Sequence, residues 1–122
     1  MVSFLFFDSY AIIELLNGNP DYRKYSGETI IATSLNLGEV YSAYLRKGRE
    51  RVFFRAVDRL GIEILPLTTE DCYRAMRFRY ENRTKNYSYV DSIGYTLARH
   101  REMTFLTGDK DFRGVAGVEW VK

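Results

Sequence analysis

Val2-Ser3-Phe4-Leu5-Phe6-Phe7-Asp8-Ser9 is the stretch on which the fold turns. The apolar run reads as a buried strand. It passes directly into a short helix, from about Ser9 to Asn17, that Gly18-Asn19-Pro20 stops. The same alternation recurs downstream. Thr29-Ile30-Ile31-Ala32 predicts a second strand, with Thr33 or Ser34 capping a helix whose Leu37, Val40, Tyr41, Tyr44 and Leu45 share one face. A further helix carries Val52, Phe53, Ala56, Val57 and Leu60 and ends at Gly61, before a third strand, Ile62–Leu65. Thr68 or Thr69 starts a basic helix to about Arg83, and Ser88 to Asp91 has capping-box form ahead of a helix bearing Ile93, Leu97 and Ala98. Thr104–Thr107 and Val118–Val121 complete five strands. Strands alternating with helices predict an α/β protein, a three-layer α/β/α sandwich around a mainly parallel five-stranded sheet.

The chain has 122 residues, 46% of them hydrophobic, with ten Tyr, eight Phe and one Trp. That length and composition suit one domain over residues 1–122 with one core, and exclude a disordered tail. The apolar run Phe4–Phe7 is far shorter than the roughly 18–20 residues needed to cross a bilayer, and Asp8 follows at once. A cytoplasmic protein that does not engage membranes is expected. The single Cys72 and single His100 supply neither a disulfide, nor a zinc site, nor a Cys-His nucleophile. Catalysis must rest on carboxylates, hydroxyls, Lys and Arg. The net charge of +2 is unevenly spread: residues 41–59 hold six bases against two acids, and residues 72–101 seven against two. Such segments can present a cationic rim to a polyanion.

Ligands of open parallel sheets bind beyond the carboxyl ends of the strands. Asp8 ends the first strand, and Asp109 lies two residues past the fourth. Glu39 falls in the first turns of the helix after strand two, and Asp91 in the first turn of its own helix. Each acid alone has a capping or solvated reading. Together they converge on one sheet edge, where two carboxylates about 5 Å apart repel by roughly 3 kcal/mol at an effective dielectric near 20. A cation relieves that cost, and oxygen-only ligation points to Mg²⁺ or Mn²⁺.

At these positions the sequence resembles PIN domains. Phe6-Phe7-Asp8-Ser9-Tyr10, Leu37-Gly38-Glu39-Val40, Tyr89-Val90-Asp91-Ser92-Ile93 and Phe105-Leu106-Thr107-Gly108-Asp109-Lys110-Asp111-Phe112 look like that family's four acidic motifs, in order and over essentially the whole chain. The short single-domain form is similar to the VapC toxins of type II toxin–antitoxin pairs. The connection over residues 18–28 is shorter than many relatives carry. The resemblance implies a metal-dependent endoribonuclease that leaves 5′-phosphate and 3′-hydroxyl ends, a homodimer and a VapB-type antitoxin partner. Carried over by position, Asp8, Glu39, Asp91 and Asp109 are the metal-site acids. Ser9 and Thr107 orient them, and Asp111 is a possible fifth acid or a helix-start carboxylate. A catalytically inactive PIN-like module that binds RNA or protein is the alternative.

Other α/β classes fit less well. A phosphoacceptor receiver would pair acids near the first strand, and a haloacid-dehalogenase-type phosphatase would place an Asp where Tyr10 stands. No glycine fingerprint supports a dinucleotide fold. Arg77, Arg79, Arg83 and Lys85 are candidate contacts to RNA phosphates, against the alternative of a solvated helix face. Tyr80, Tyr87 and Tyr89 read first as core or dimer packing, with base stacking as the alternative.

Overall fold

The computed structural model describes residues 4–122. In chain order it contains β1 (Leu5–Phe7), α1 (Ser9–Leu16), a 3₁₀ helix (Pro20–Tyr25), β2 (Ile31–Ala32), α2 (Ser34–Arg46), α3 (Glu50–Leu60) and β3 (Glu63–Ile64). Then follow α4 (Thr69–Glu81), α5 (Tyr89–His100), β4 (Thr104–Thr107), a second 3₁₀ turn (Lys110–Phe112) and β5 (Val118–Trp120). Among the described residues no helix is long and apolar enough to cross a membrane.

The sheet order is β3-β2-β1-β4-β5, and every pairing is parallel. From β1 the chain steps outward through β2 to β3, then crosses back to β4 beside β1. The reversal of strand order therefore falls between β1 and β4, where a parallel sheet opens its ligand crevice. Registers Phe6↔Phe105 and Phe7↔Leu106, continued by one residue, bring Asp8 level with Thr107 at the carboxyl edge.

The two-residue period of the strands sorts the apolar side chains into two layers. Phe7, Leu106, Ile30 and Ala32 pack with Ala11 and Ile12 of α1, Val40 of α2 and Phe53 of α3. Phe6, Phe105 and Ile31 turn the other way, onto Tyr95, Leu97 and Ala98 of α5 and onto Phe112. The expected sandwich is therefore present, with its sheet wholly rather than mainly parallel. Helix α5 lies almost flat on the sheet at Gly94, where a Cβ would stand 3.0 Å from the Phe6 ring and 3.2 Å from that of Phe105. That close approach sets the height of Asp91, one turn upstream.

Helix starts follow local chemistry. Thr33 with Asn36, Thr68 with Asp71 and Ser88 with Asp91 each form a capping box. Helix α3 ends at Gly61 in the left-handed region, φ 60°. Strand bounds are tighter than the hydrophobic runs predict. Residues 2–3 of the first run lie outside the described residues, and β2 and β3 keep only two residues each. Residues 20–25, expected to be mere connection, are helical because Pro20 presets the first turn and the Asn19 side chain accepts the Asp21 N–H at 2.9 Å. The helix carries Tyr22 and Tyr25 into the core.

Candidate active site

All four predicted acids lie at the carboxyl edge of the sheet, two on the central strands' exits and two on helix starts. Asp8 is the residue between β1 and α1, and Asp109 follows β4 by two residues. Glu39 lies in the second turn of α2, and Asp91 in the first turn of α5. Their mutual electrostatic influence records the convergence. Asp91 and Glu39 both oppose ionisation of Asp8, and Asp109 and Glu39 both oppose ionisation of Asp91.

Each acid is held by one carboxylate oxygen. Thr107 Oγ1 donates to Asp8 Oδ2 at 2.7 Å, and the Ser9 hydroxyl donates to Glu39 Oε1 at 2.5 Å. The Ser88 N–H donates to Asp91 Oδ2 at 2.9 Å, and the Asp111 N–H to Asp109 Oδ1 at 3.0 Å. Among the described residues no protein donor reaches the second oxygen of any of the four. Thr107 also links two of them, because its Oγ1 accepts the Asp109 N–H at 3.1 Å while donating to Asp8. Both hydroxyls assigned an orienting role thus touch acids. Asp111 contributes its backbone N–H, and its carbonyl accepts the Tyr87 hydroxyl at 2.7 Å.

Asp8 is the electrostatic centre of the cluster. It is 3% exposed, and its Oδ1 is buried with no hydrogen-bond partner. Burial, with added repulsion from Asp91 and Glu39, pushes its carboxyl up to about 7 despite the Thr107 hydrogen bond and a smaller pull from the Ser9 backbone N–H. Burial likewise raises Asp91, against the pull of its Ser88 hydrogen bonds. Asp71 is the instructive contrast. It is only 6% exposed, yet it is capped by Thr68 and paired with Arg74 at 3.1 Å, and these partners hold its carboxyl below the usual range. The fold satisfies a buried acid where the acid is structural; at Asp8 it leaves one oxygen open.

The raised Asp8 carboxyl fixes the sign of a pH effect. Below its ordinary value of 3.8 the group is protonated in both folded and unfolded chains. Between 3.8 and about 7 the unfolded chain loses that proton while the folded protein retains it, so stability falls across this window and levels off above it. The contribution is on the order of 4 kcal/mol. Denaturant titrations of the metal-free protein from pH 4 to 8 should show the decline, and an Asn at this position should remove it.

The donor set suits a hard divalent cation. It is all oxygen, it offers one open oxygen per acid, and it includes a buried orphan that a cation would satisfy. Among the described residues, however, no three acidic, His or Cys side chains are already drawn into metal-holding geometry.

The basic segment divides. Arg79, Arg83 and Lys85 line a cleft at the junction of α4 and α5, whereas Arg77 lines a separate cavity with Arg74, Arg99 and His100. Residues two apart on a helix stand about 200° apart, so Arg77 and Arg79 cannot share a face of α4, while Arg83 lies past the Asn82 cap and meets Arg79 at the cleft. Of the three tyrosines, Tyr87 is buried and stacks on Phe112 at 4.4 Å, while Tyr80 and Tyr89 are exposed.

Asn36 was not a predicted site residue. Wholly buried, it accepts the Thr33 N–H and hydroxyl through Oδ1 and donates from Nδ2 to the Ser9 hydroxyl at 3.0 Å. It thereby aims the Ser9 proton at Glu39. The available signal was a polar residue three positions after Thr33, on the helix face that also carries Val40.

Comparison with known proteins places this arrangement. The family model of the PIN domain matches residues 5–118. A toxin–antitoxin complex from Klebsiella pneumoniae superposes with a TM-score of 0.75 at 19% identity, covering 94% of this chain and 95% of that one. VapC20 of Mycobacterium tuberculosis, described as a sarcin-ricin loop cleaving toxin, gives 0.77 at 17% identity over 92% and 95%. VapBC2 from Rickettsia felis, bound to a DNA fragment from its promoter, gives 0.74 at 16% over 95% and 97%. No curated protein matches the chain by sequence. With the matched span running from the first residue of β1 to the first of β5 and enclosing all four acids, the chain belongs to the PIN domain family.

Proposed function

We propose that this chain is a divalent-metal-dependent endoribonuclease, acting as one unit over residues 1–122, and that it is the toxin of a VapBC-type toxin–antitoxin pair. One observation carries the reading: four converging acids each keep an oxygen without a protein donor, and that of Asp8 is buried. The likeness to a toxin–antitoxin complex and to an RNA-cleaving VapC supports the substrate and the biological role.

Asp8, Asp91 and Asp109 would hold Mg²⁺ or Mn²⁺, with Glu39 as a fourth ligand or as the base for water. The bound cation supplies positive charge at the scissile phosphate, lowering the cost of the negative charge that develops there. The protein's own part is positioning and proton handling. Thr107 ties Asp8 to the backbone before Asp109, so the two strand-end acids keep a fixed relation. Ser9 fills Glu39 Oε1 with a donated proton and leaves Oε2 to accept one from an attacking water in line with the phosphate. Water takes the phosphoryl group, and the ribose 3′-oxygen leaves with a proton, giving 5′-phosphate and 3′-hydroxyl ends. Exposed apolar side chains on α2 and α3, Leu45, Val52 and Phe54, support protein partners: a second copy of the chain and a VapB-type antitoxin.

Two readouts test the proposal together. Mn²⁺ or Mg²⁺ should raise the melting temperature by several degrees, since binding at a hundredfold excess over Kd adds about 2.7 kcal/mol. The same ions should switch on cleavage of single-stranded RNA, and excess EDTA should abolish it. The absence of a preformed metal cluster among the described residues favours a second reading, an inactive RNA- or protein-binding module. RNA binding with neither a metal-induced shift nor cleavage would establish that one instead.

A further inference from the structure

One feature of the α4–α5 junction is not used by the phosphodiester chemistry. A cleft of about 390 Å³ opens between the end of α4 and the start of α5, within the size range of small-ligand sites. Tyr80 and Tyr89 line it, 67% and 62% exposed, although tyrosines are large enough to contribute more by burial. Each carries a guanidinium on its ring: Arg79 stands 4.5 Å from the Tyr89 centroid and Arg83 4.5 Å from that of Tyr80. Both cations are anchored, because Arg79 Nε donates to the Tyr87 carbonyl and Arg83 to the Tyr80 carbonyl, each at 2.9 Å. The rings are thus held as flat, cation-backed walls. Asn86 at the cleft offers both a donor and an acceptor. Tyr89 and Asp91 both stand in the first turn of α5, on different faces, so the cleft and the acid cluster share the start of one helix.

We propose that this cleft receives one unpaired nucleobase of the RNA, from a nucleotide beside the scissile phosphate, stacked on the Tyr89–Arg79 wall. The proposal rests on the ribonuclease reading and gives it a base-stacking subsite, which only a base free of its pairing partner can enter. Aromatic faces and guanidinium planes stack every base, so the cleft selects unpaired geometry first. Asn86 adds hydrogen bonding to a base edge. Arg83 and Lys85 at the rim meet the flanking phosphates.

The test is binding of a labelled single-stranded RNA nonamer in EDTA, where no cleavage intrudes, combined with a series of nonamers each bearing one abasic position. Tyr89→Ala should weaken binding roughly ten- to a hundredfold, and Tyr89→Phe should restore it to near the parent value. One abasic position should weaken parental binding by a similar factor and have no further effect in Tyr89→Ala. A flat abasic series, or unchanged RNA affinity in Tyr89→Ala, overturns the proposal. Because Tyr89 is exposed, melting curves of both variants should match the parent. The two readings fail separately: Tyr89-dependent, abasic-sensitive binding in a protein that never cleaves sustains the cleft and sinks the nuclease. Metal-dependent cleavage with Tyr89-independent binding does the opposite.

Discussion

Asp8→Asn is expected to lower metal-dependent RNA cleavage by about 10²–10³-fold or more while making the metal-free protein more stable. The two effects share one cause. Asp8 is buried at the point where β1 and β4 part, feels Asp91 and Glu39, and keeps Oδ1 without a partner. An ionised carboxylate there is costly in the empty fold, and becomes favourable only when a cation joins it. Asn keeps the oxygen that accepts from Thr107 and replaces the orphan with an amide N–H₂ directed toward neighbouring acids. At pH 8 the variant should gain on the order of 4 kcal/mol, the amount the parent loses between pH 4 and 8, or roughly 15 °C in melting temperature. At pH 4, near the ordinary carboxyl value, the gain should vanish because the parent Asp8 is then protonated. Differential scanning fluorimetry in EDTA at both pH values, with single-turnover cleavage in Mn²⁺, reads each half. A variant that loses stability at pH 8 would make Asp8 a structural cap, and one that cleaves normally would remove it from the site.

The position of Asp8 at the sheet edge was legible in the sequence for a simple reason. An apolar run that stops at an acid, followed at once by a helix, places that acid at a strand's carboxyl end whatever the strand's exact bounds. The strand lengths were less legible, because apolar runs such as Thr29–Ala32 report burial, and only part of the run makes ladder bonds. The separation of Arg77 from Arg79 could have been read from helical angle alone, since they differ by two positions, whereas Arg83 joins Arg79 only because the chain turns after the Asn82 cap. The fate of the tyrosines could not. Tyr87 stacks on Phe78 and Phe112 because α4 and the turn after β4 converge on it, contacts spanning up to 25 positions of chain. The 3₁₀ helix had local signals in Asn19 and Pro20, which also serve as helix-stop signals; burial of Tyr22 and Tyr25 selects the helical outcome.

Asn36 was hidden because its role is relayed. In a first helical turn Asn reads as a neutral or weakly unfavourable residue, and only tertiary packing brings its amide to Ser9, 27 positions away. Its removal carries the second large expected effect. Asn36→Ala deprives the buried Thr33 N–H and hydroxyl of their acceptor and opens space in a fully buried position. Loss of the capping box and of a satisfied polar network should cost about 3 kcal/mol, a large share of a domain's stability. Turnover should fall as well, by about 10–100-fold, the usual effect of losing a group that orients a ligand. The route runs through Ser9, whose hydroxyl is received by Glu39 at 2.5 Å while accepting the Asn36 amide at 3.0 Å. Ser9→Ala should therefore reproduce most of the loss in turnover, at a smaller stability cost of about 1–2 kcal/mol for leaving the buried Asn36 amide without its acceptor. In the double variant the stability costs should fall short of their sum, because the Ser9–Asn36 hydrogen bond is lost in either single variant and can be lost only once, while the Thr33 capping cost belongs to Asn36 alone. The turnover losses should not add, because the second substitution removes a link that is already broken. Multiplying rate losses in the double variant would mean that Asn36 reaches Glu39 by a path independent of Ser9.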